Sequence, residues 1–178
     1  MTGFEFVDDT VLRSNIEVAF EHILELTTIS ESKNFGKTIA VSSFRKTIII
    51  HIGAIVEALM HWKLKKRCST DKLELINEWV YPDLKILFEI NESEQIIAGK
   101  RKSEKRDVDR LEFLQIIRLC EKHSIIKSKT LLRDVDKIRE YRNKQHIGGL
   151  AGIERKYSRR TLNFCFNTVV RVVKEVSS

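Results

Sequence analysis

From about Ala40 to Lys66 the chain carries apolar residues on almost every side of a helical wheel. Phe44, Ile48, Ile52, Ile55, Leu59 and Trp62 follow one face, while Ile49, Ile50, Ala54, Val56 and Ala58 fill most of the others. A helix with so little polar surface must be surrounded, so the pattern predicts the central helix of a bundle. His51 and Glu57 interrupt the apolar run, and a run so interrupted is expected to be too short to cross a bilayer. Glu57 needs a reason, because burying a carboxylate costs free energy unless a cation meets it. Two readings stand: it pairs with an arginine from another element, Arg139 and Arg142 being the candidates, or it faces water beside His61.

The flanking segments supply the surround. Asp8 or Asp9 caps a helix running to about Thr28, with Val11, Leu12, Ile16, Ala19, Phe20, Ile23 and Leu24 at helical spacing. Lys63-Leu-Lys-Lys-Arg67 closes the central helix with the charge its dipole prefers. Leu84–Ile90 and Gln95–Arg101, either side of Asn91-Glu-Ser-Glu94, read as a small β-hairpin. The basic run Lys100-Arg-Lys102 with Lys105-Arg106 could hold a nucleic-acid backbone, but such a run is more often a solvated loop. A further helix opens at Asp107 or Asp109, with Phe113, Ile116, Ile117 and Cys120 on one face. Ser128 caps the next, and Ser158 caps the last, where Leu162, Cys165, Val169, Val172 and Val176 repeat. The expectation is a single domain over residues 1–178, an all-α bundle of about five helices with a hairpin inserted around 84–101.

Three scattered cysteines, Cys68, Cys120 and Cys165, argue against a disulfide framework or a zinc site. No carboxylate or Cys/His grouping has metal-ligand spacing, and no phosphate-binding glycine loop follows a strand, so no metal and no cofactor are expected. The first residues lack a basic stretch followed by an apolar run, which predicts a cytoplasmic protein with no membrane attachment.

Charge is unevenly placed. Residues 1–35 hold seven acids against two bases, whereas Arg139 to Arg160 hold seven bases against two acids. A concentrated positive field points to phosphate-bearing partners, RNA among them, although net charge also serves solubility.

The segment Leu131–Gly149 joins these threads. Leu131, Val135 and Ile138 share one narrow arc at 100° per residue, and Arg142, Arg139, His146 and Asn143 continue it toward the C-terminus. Spacings of three, four and seven residues let Arg139, Arg142 and His146 reach one anion-sized point. Gly148-Gly149 is the expected stop, leaving His146 in a last turn whose dipole favours its protonated form. Basic residues in a last turn also serve capping alone, and that reading stands beside the first.

Arg139-Glu-Tyr-Arg-Asn-Lys-Gln-His146 resembles the signature of the HEPN family (higher eukaryotes and prokaryotes nucleotide-binding), an arginine followed four to six residues later by a histidine on a late helix. Arg142-Asn143 is similar to that family's arginine followed by a polar residue, but only three residues separate Arg142 from His146. The central helix with Glu57 also resembles the buried second helix of those bundles. The resemblance implies a metal-independent endoribonuclease, of the kind found as toxins of toxin–antitoxin pairs and in anti-phage defence. It implies Arg139, Arg142, Asn143 and His146 as catalytic residues, Glu57 as their support, and Lys144, Lys100 and Arg101 as RNA-binding residues. It further implies a homodimer with composite sites and an acidic antitoxin as a possible partner. The alternative is a HEPN module that binds RNA, nucleotide or a partner protein without cutting.

Overall fold

A computed structural model describes residues 3–32, 39–68, 72–80, 84–144 and 157–178. Five helices appear in chain order: α1 (Thr10–Glu31), α2 (Ile39–Arg67), α3 (Phe113–Lys122), α4 (Lys129–Asn143) and α5 (Arg159–Ser177). Three start at side-chain caps, where Asp9, Ser128 and Ser158 each accept from the backbone N–H three residues on.

α2 is the centre, as its all-round apolarity predicts, and α1, α3, α4 and α5 all pack on it. Ile48, Ile49, Ile52, Val56, Leu59, Met60 and Leu64 are fully buried, while Ala54 faces out. It spans 29 residues, close to the expected bounds, and by length and composition alone it is long and apolar enough to cross a membrane, contrary to the expectation that it is too short. Here four helices occupy its apolar surface. The N-terminal segment docks on its end: the Trp62 indole donates to Asp8 at 2.8 Å, and Lys66 Nζ pairs with Asp8 at 2.7 Å. Those two donors hold the Asp8 carboxyl down at about 2.

The all-α expectation is overturned. Between α2 and α3 the chain forms two two-stranded antiparallel sheets: β1 (Lys72–Val80) pairs with β4 (Lys102–Asp107), and β2 (Lys85–Asn91) pairs with β3 (Glu94–Ala98). The fold therefore mixes α and β. The expected hairpin is the outer part of a longer ribbon whose register runs from Lys72↔Asp107 to Asn91↔Glu94. Extra residues fall on the outgoing side, including Leu87 and Ile90 on β2, which bulge that strand. β4 escaped notice because Lys-Ser-Glu-Lys-Arg-Asp has no apolar alternation; it is held by the ladder and by exposed cross-strand charge pairs such as Lys105 with Glu74.

The ribbon's root is fastened to the body. Leu73 and Leu75 of β1 are buried in the core. Buried Gln115 of α3 donates to both carboxylate oxygens of Glu78 at 2.9 Å and accepts from the Glu112 N–H and from Arg106. Glu112 and Gln115 also form the capping box that starts α3, which places the helix start later than Asp107 or Asp109. A short 3-10 turn, Val108–Arg110, occupies the expected first turn instead.

Candidate functional site

α4 carries its apolar stripe as predicted: Leu131, Val135 and Ile138 are buried, with Leu132 beside them. Arg171 of α5 pairs with Asp134 at 2.7 Å and fixes the helix from its other side. The stripe then meets Gly53 of α2. A Cβ at Gly53 would lie 3.3 Å from Arg142 Cδ, 3.4 Å from Arg142 Cβ and 3.5 Å from Ile138 Cγ2. The missing side chain is thus what lets α4 approach α2 closely at this point.

Close approach determines where Arg142 goes. Its aliphatic stem lies on Gly53, its guanidinium sits 5.8 Å from the centre of the Phe113 ring, and Nη1 meets Glu57 Oε2 at 2.6 Å. Both partners are mostly screened from water, at 29% and 24% side-chain exposure. Of the two readings of Glu57, the arginine pairing is the one adopted. His61 is occupied elsewhere, with Nε2 2.8 Å from the Val108 carbonyl oxygen.

Arg139 takes a different partner. Its Nε donates to Asp136 of the same helix at 2.7 Å, with the arginine 20% exposed. The two guanidinium groups, expected to share one anion, are each anchored on a separate carboxylate. Each keeps further N–H groups beyond the nitrogen that contacts its acid. Asn143 and Lys144 are exposed at the end of α4, and Lys144 Nζ lies 5.5 Å from the Tyr141 ring centre. Lys100 and Arg101 belong to the ribbon, where the Arg101 guanidinium stacks 3.5 Å above the Trp79 ring.

α4 ends at Asn143, with Lys144 as its C-cap, five residues before the expected glycine stop. His146 and Gly148-Gly149 lie outside the described residues. Tyr157, the next described residue, donates its N–H to Ser42 Oγ at 2.9 Å on the first turns of α2.

Sequence reasoning missed three contributors. Asp136 was legible as an i, i+3 partner of Arg139. Gly53, a glycine inside an apolar helix, was a signal of close backbone approach. Phe113 had no such signal, because only the packing of α3 brings its ring to Arg142. A second basic group lies at the ribbon root, where Lys72, Lys105, Arg106 and Arg110 line a shallow recess of about 340 Å³ with Asp107. A separate cleft of about 270 Å³ between α1, α2 and α5, lined by Phe4, Phe20, Ile23 and Phe166, is apolar and unsuited to phosphate. Among the described residues no three His, Cys, Asp or Glu side chains gather as metal ligands.

Comparison of the chain with protein-family models, with curated proteins and with solved structures gives no match.

Proposed function

We propose that this chain is a metal-independent endoribonuclease of HEPN type, with Arg139, Arg142, Asn143 and His146 around the scissile phosphate. The observation that carries the reading is Arg142 held on Glu57 over Gly53, two residues before the chain leaves α4 toward His146. A carboxylate behind a guanidinium restricts its rotamers and leaves the outward N–H groups directed at an anion, which is pre-organisation for phosphate. Arg139, steered by Asp136, supplies a second cation on the same stretch of helix. The reaction is attack of a ribose 2′-hydroxyl on the adjacent phosphorus. The new P–O bond closes a 2′,3′-cyclic phosphate as the bond to the 5′-oxygen breaks. One imidazole takes the 2′ proton and another gives one to the leaving 5′-oxygen, so two copies of His146 in a homodimer balance the protons. Lys144, Lys100, Arg101 and the recess at the ribbon root would hold the RNA backbone. A cytoplasmic toxin or anti-phage role, with an acidic antitoxin docking on the basic end, follows from the same reading.

The test is cleavage of a mixed RNA pool by the wild-type protein and by His146→Ala, with product ends mapped and RNA binding measured in parallel. Loss of cyclic-phosphate products with binding retained supports the enzyme; undiminished cleavage removes His146 from the mechanism. One observation favours the second reading, a module that binds RNA, nucleotide or protein without cutting: both arginines already have carboxylate partners. RNA binding without cleavage by the wild-type protein selects it.

A further inference from the structure

Among the described residues, no core lies beneath the outer ribbon. Every residue of β2 and β3 is exposed, and the surface includes Leu84, Ile86, Leu87, Phe88, Ile90, Ile96 and Ile97 at 48–66% exposure. Ile86 lies opposite Ile97 and Phe88 opposite Ile96. Because residues 96 and 97 are adjacent on β3, those two apolar pairs lie on opposite faces of the ribbon. A free two-stranded hairpin is marginal in water, and one apolar on both faces is more so.

We propose that the ribbon is a dimerisation arm, pairing with the ribbon of a second copy in antiparallel orientation. Two observations select that occupant. The first is charge: Glu89, Glu92 and Glu94 cluster at the tip, whereas Lys85, Lys100, Arg101 and Lys102 flank the inner end. Two arms laid tip to root about a two-fold axis set each acidic tip against a basic root, and a parallel pair sets like against like. The second is edge geometry. Both irregularities of the outer pair fall on β2, which leaves β3 with the regular free edge. β3 against β3 around Ile96 places Glu92 opposite Lys100 of the second copy. The proposal does not rest on the nuclease reading, and its test measures mass rather than cleavage.

The experiment is light scattering behind size exclusion at tens of micromolar, with circular dichroism to confirm folding. The wild-type protein should run at twice the 20.8 kDa of one chain. A tip variant (Glu89→Lys, Glu92→Lys, Glu94→Lys) and a root variant (Lys100→Glu, Arg101→Glu, Lys102→Glu) should each run at the single-chain mass. Mixed one to one, they should recover the doubled mass, because each reversed end then faces its complement. A folded wild-type monomer overturns the proposal, including one that instead binds phosphatidylcholine vesicles. So does a dimer that neither variant disturbs, or a mixture that stays monomeric.

Discussion

Replacing Glu57 by glutamine leaves Arg142 against Gly53 and Phe113 with nothing to balance its charge. Two unit charges about 4 Å apart attract by about 4 kcal/mol at an effective dielectric near 20, but bringing both partly out of water cancels much of that. Exposed pairs contribute up to about 1 kcal/mol, and removal of one partner of a fully buried pair costs about 3–5 kcal/mol. At 24% and 29% exposure this pair falls between those limits. The expected loss for Glu57→Gln is therefore about 1–2 kcal/mol, or about 3–6 °C in Tm for a chain of this size. Arg142→Met removes the charge while keeping an unbranched stem over Gly53 and Phe113, and should cost a similar amount. The double variant should lose less than the two single losses added, giving a coupling of about 1–2 kcal/mol. Urea unfolding followed by circular dichroism measures all four corners of the cycle. A coupling below about 0.3 kcal/mol would falsify the idea that this ion pair joins α2 to α4, and with it the orienting role given to Glu57.

The contact at Gly53 separates two alanine effects. Gly53→Ala gains up to about 1 kcal/mol of helix propensity, against a 3.3 Å approach to a flexible Arg142 methylene, so denaturant midpoints should show a change within about 1 kcal/mol. Gly53→Leu should lose about 1–3 kcal/mol by overpacking and also abolish the Glu57–Arg142 coupling; retention of that coupling would contradict the close approach. Burial, reinforced by the neighbouring His22, lowers the His51 pKa. The unfolded chain therefore binds the proton more readily, and stability present above about pH 6.5 falls as pH drops through that value toward the depressed folded one. His51→Gln should flatten the decline of Tm between pH 7 and pH 5, and an unchanged slope would assign the decline to other groups. Burial raises the thiols of Cys120 and Cys165 to about 12, whereas Cys68 is only partly buried. Ellman's reagent at pH 8 should titrate one thiol in the native protein and three after denaturation; rapid native reaction of all three would refute the packing of α3 and α5.

The elements that could be read in advance share one property: their order follows from local spacing. α2 declared itself through apolar residues on every side, α5 through Leu162, Cys165, Val172 and Val176, and the α4 start through Ser128. The outer hairpin was legible from Leu84–Ile90 and Gln95–Arg101, although its second strand stops at Ala98 and its apolar residues are exposed rather than buried. β1 and β4 were not, since a strand such as Lys102–Asp107 is specified by the strand across from it and by Gln115, thirteen residues beyond its first residue. Val11 and Leu24 keep helical spacing on α1 yet stay 70% and 52% exposed, because among the described residues no element covers that side.

At the site, one-dimensional spacing placed Arg139 and Arg142 on adjoining parts of one helix and set Asp136 within reach of Arg139. Whether Arg142 would meet Glu57 depended on how near α4 could come to α2, and the absent side chain of Gly53 lets the two approach. A helix wheel records angles about one axis; the distance between two axes, and so the pairing of Arg142 with Glu57, exists only once the helices have packed.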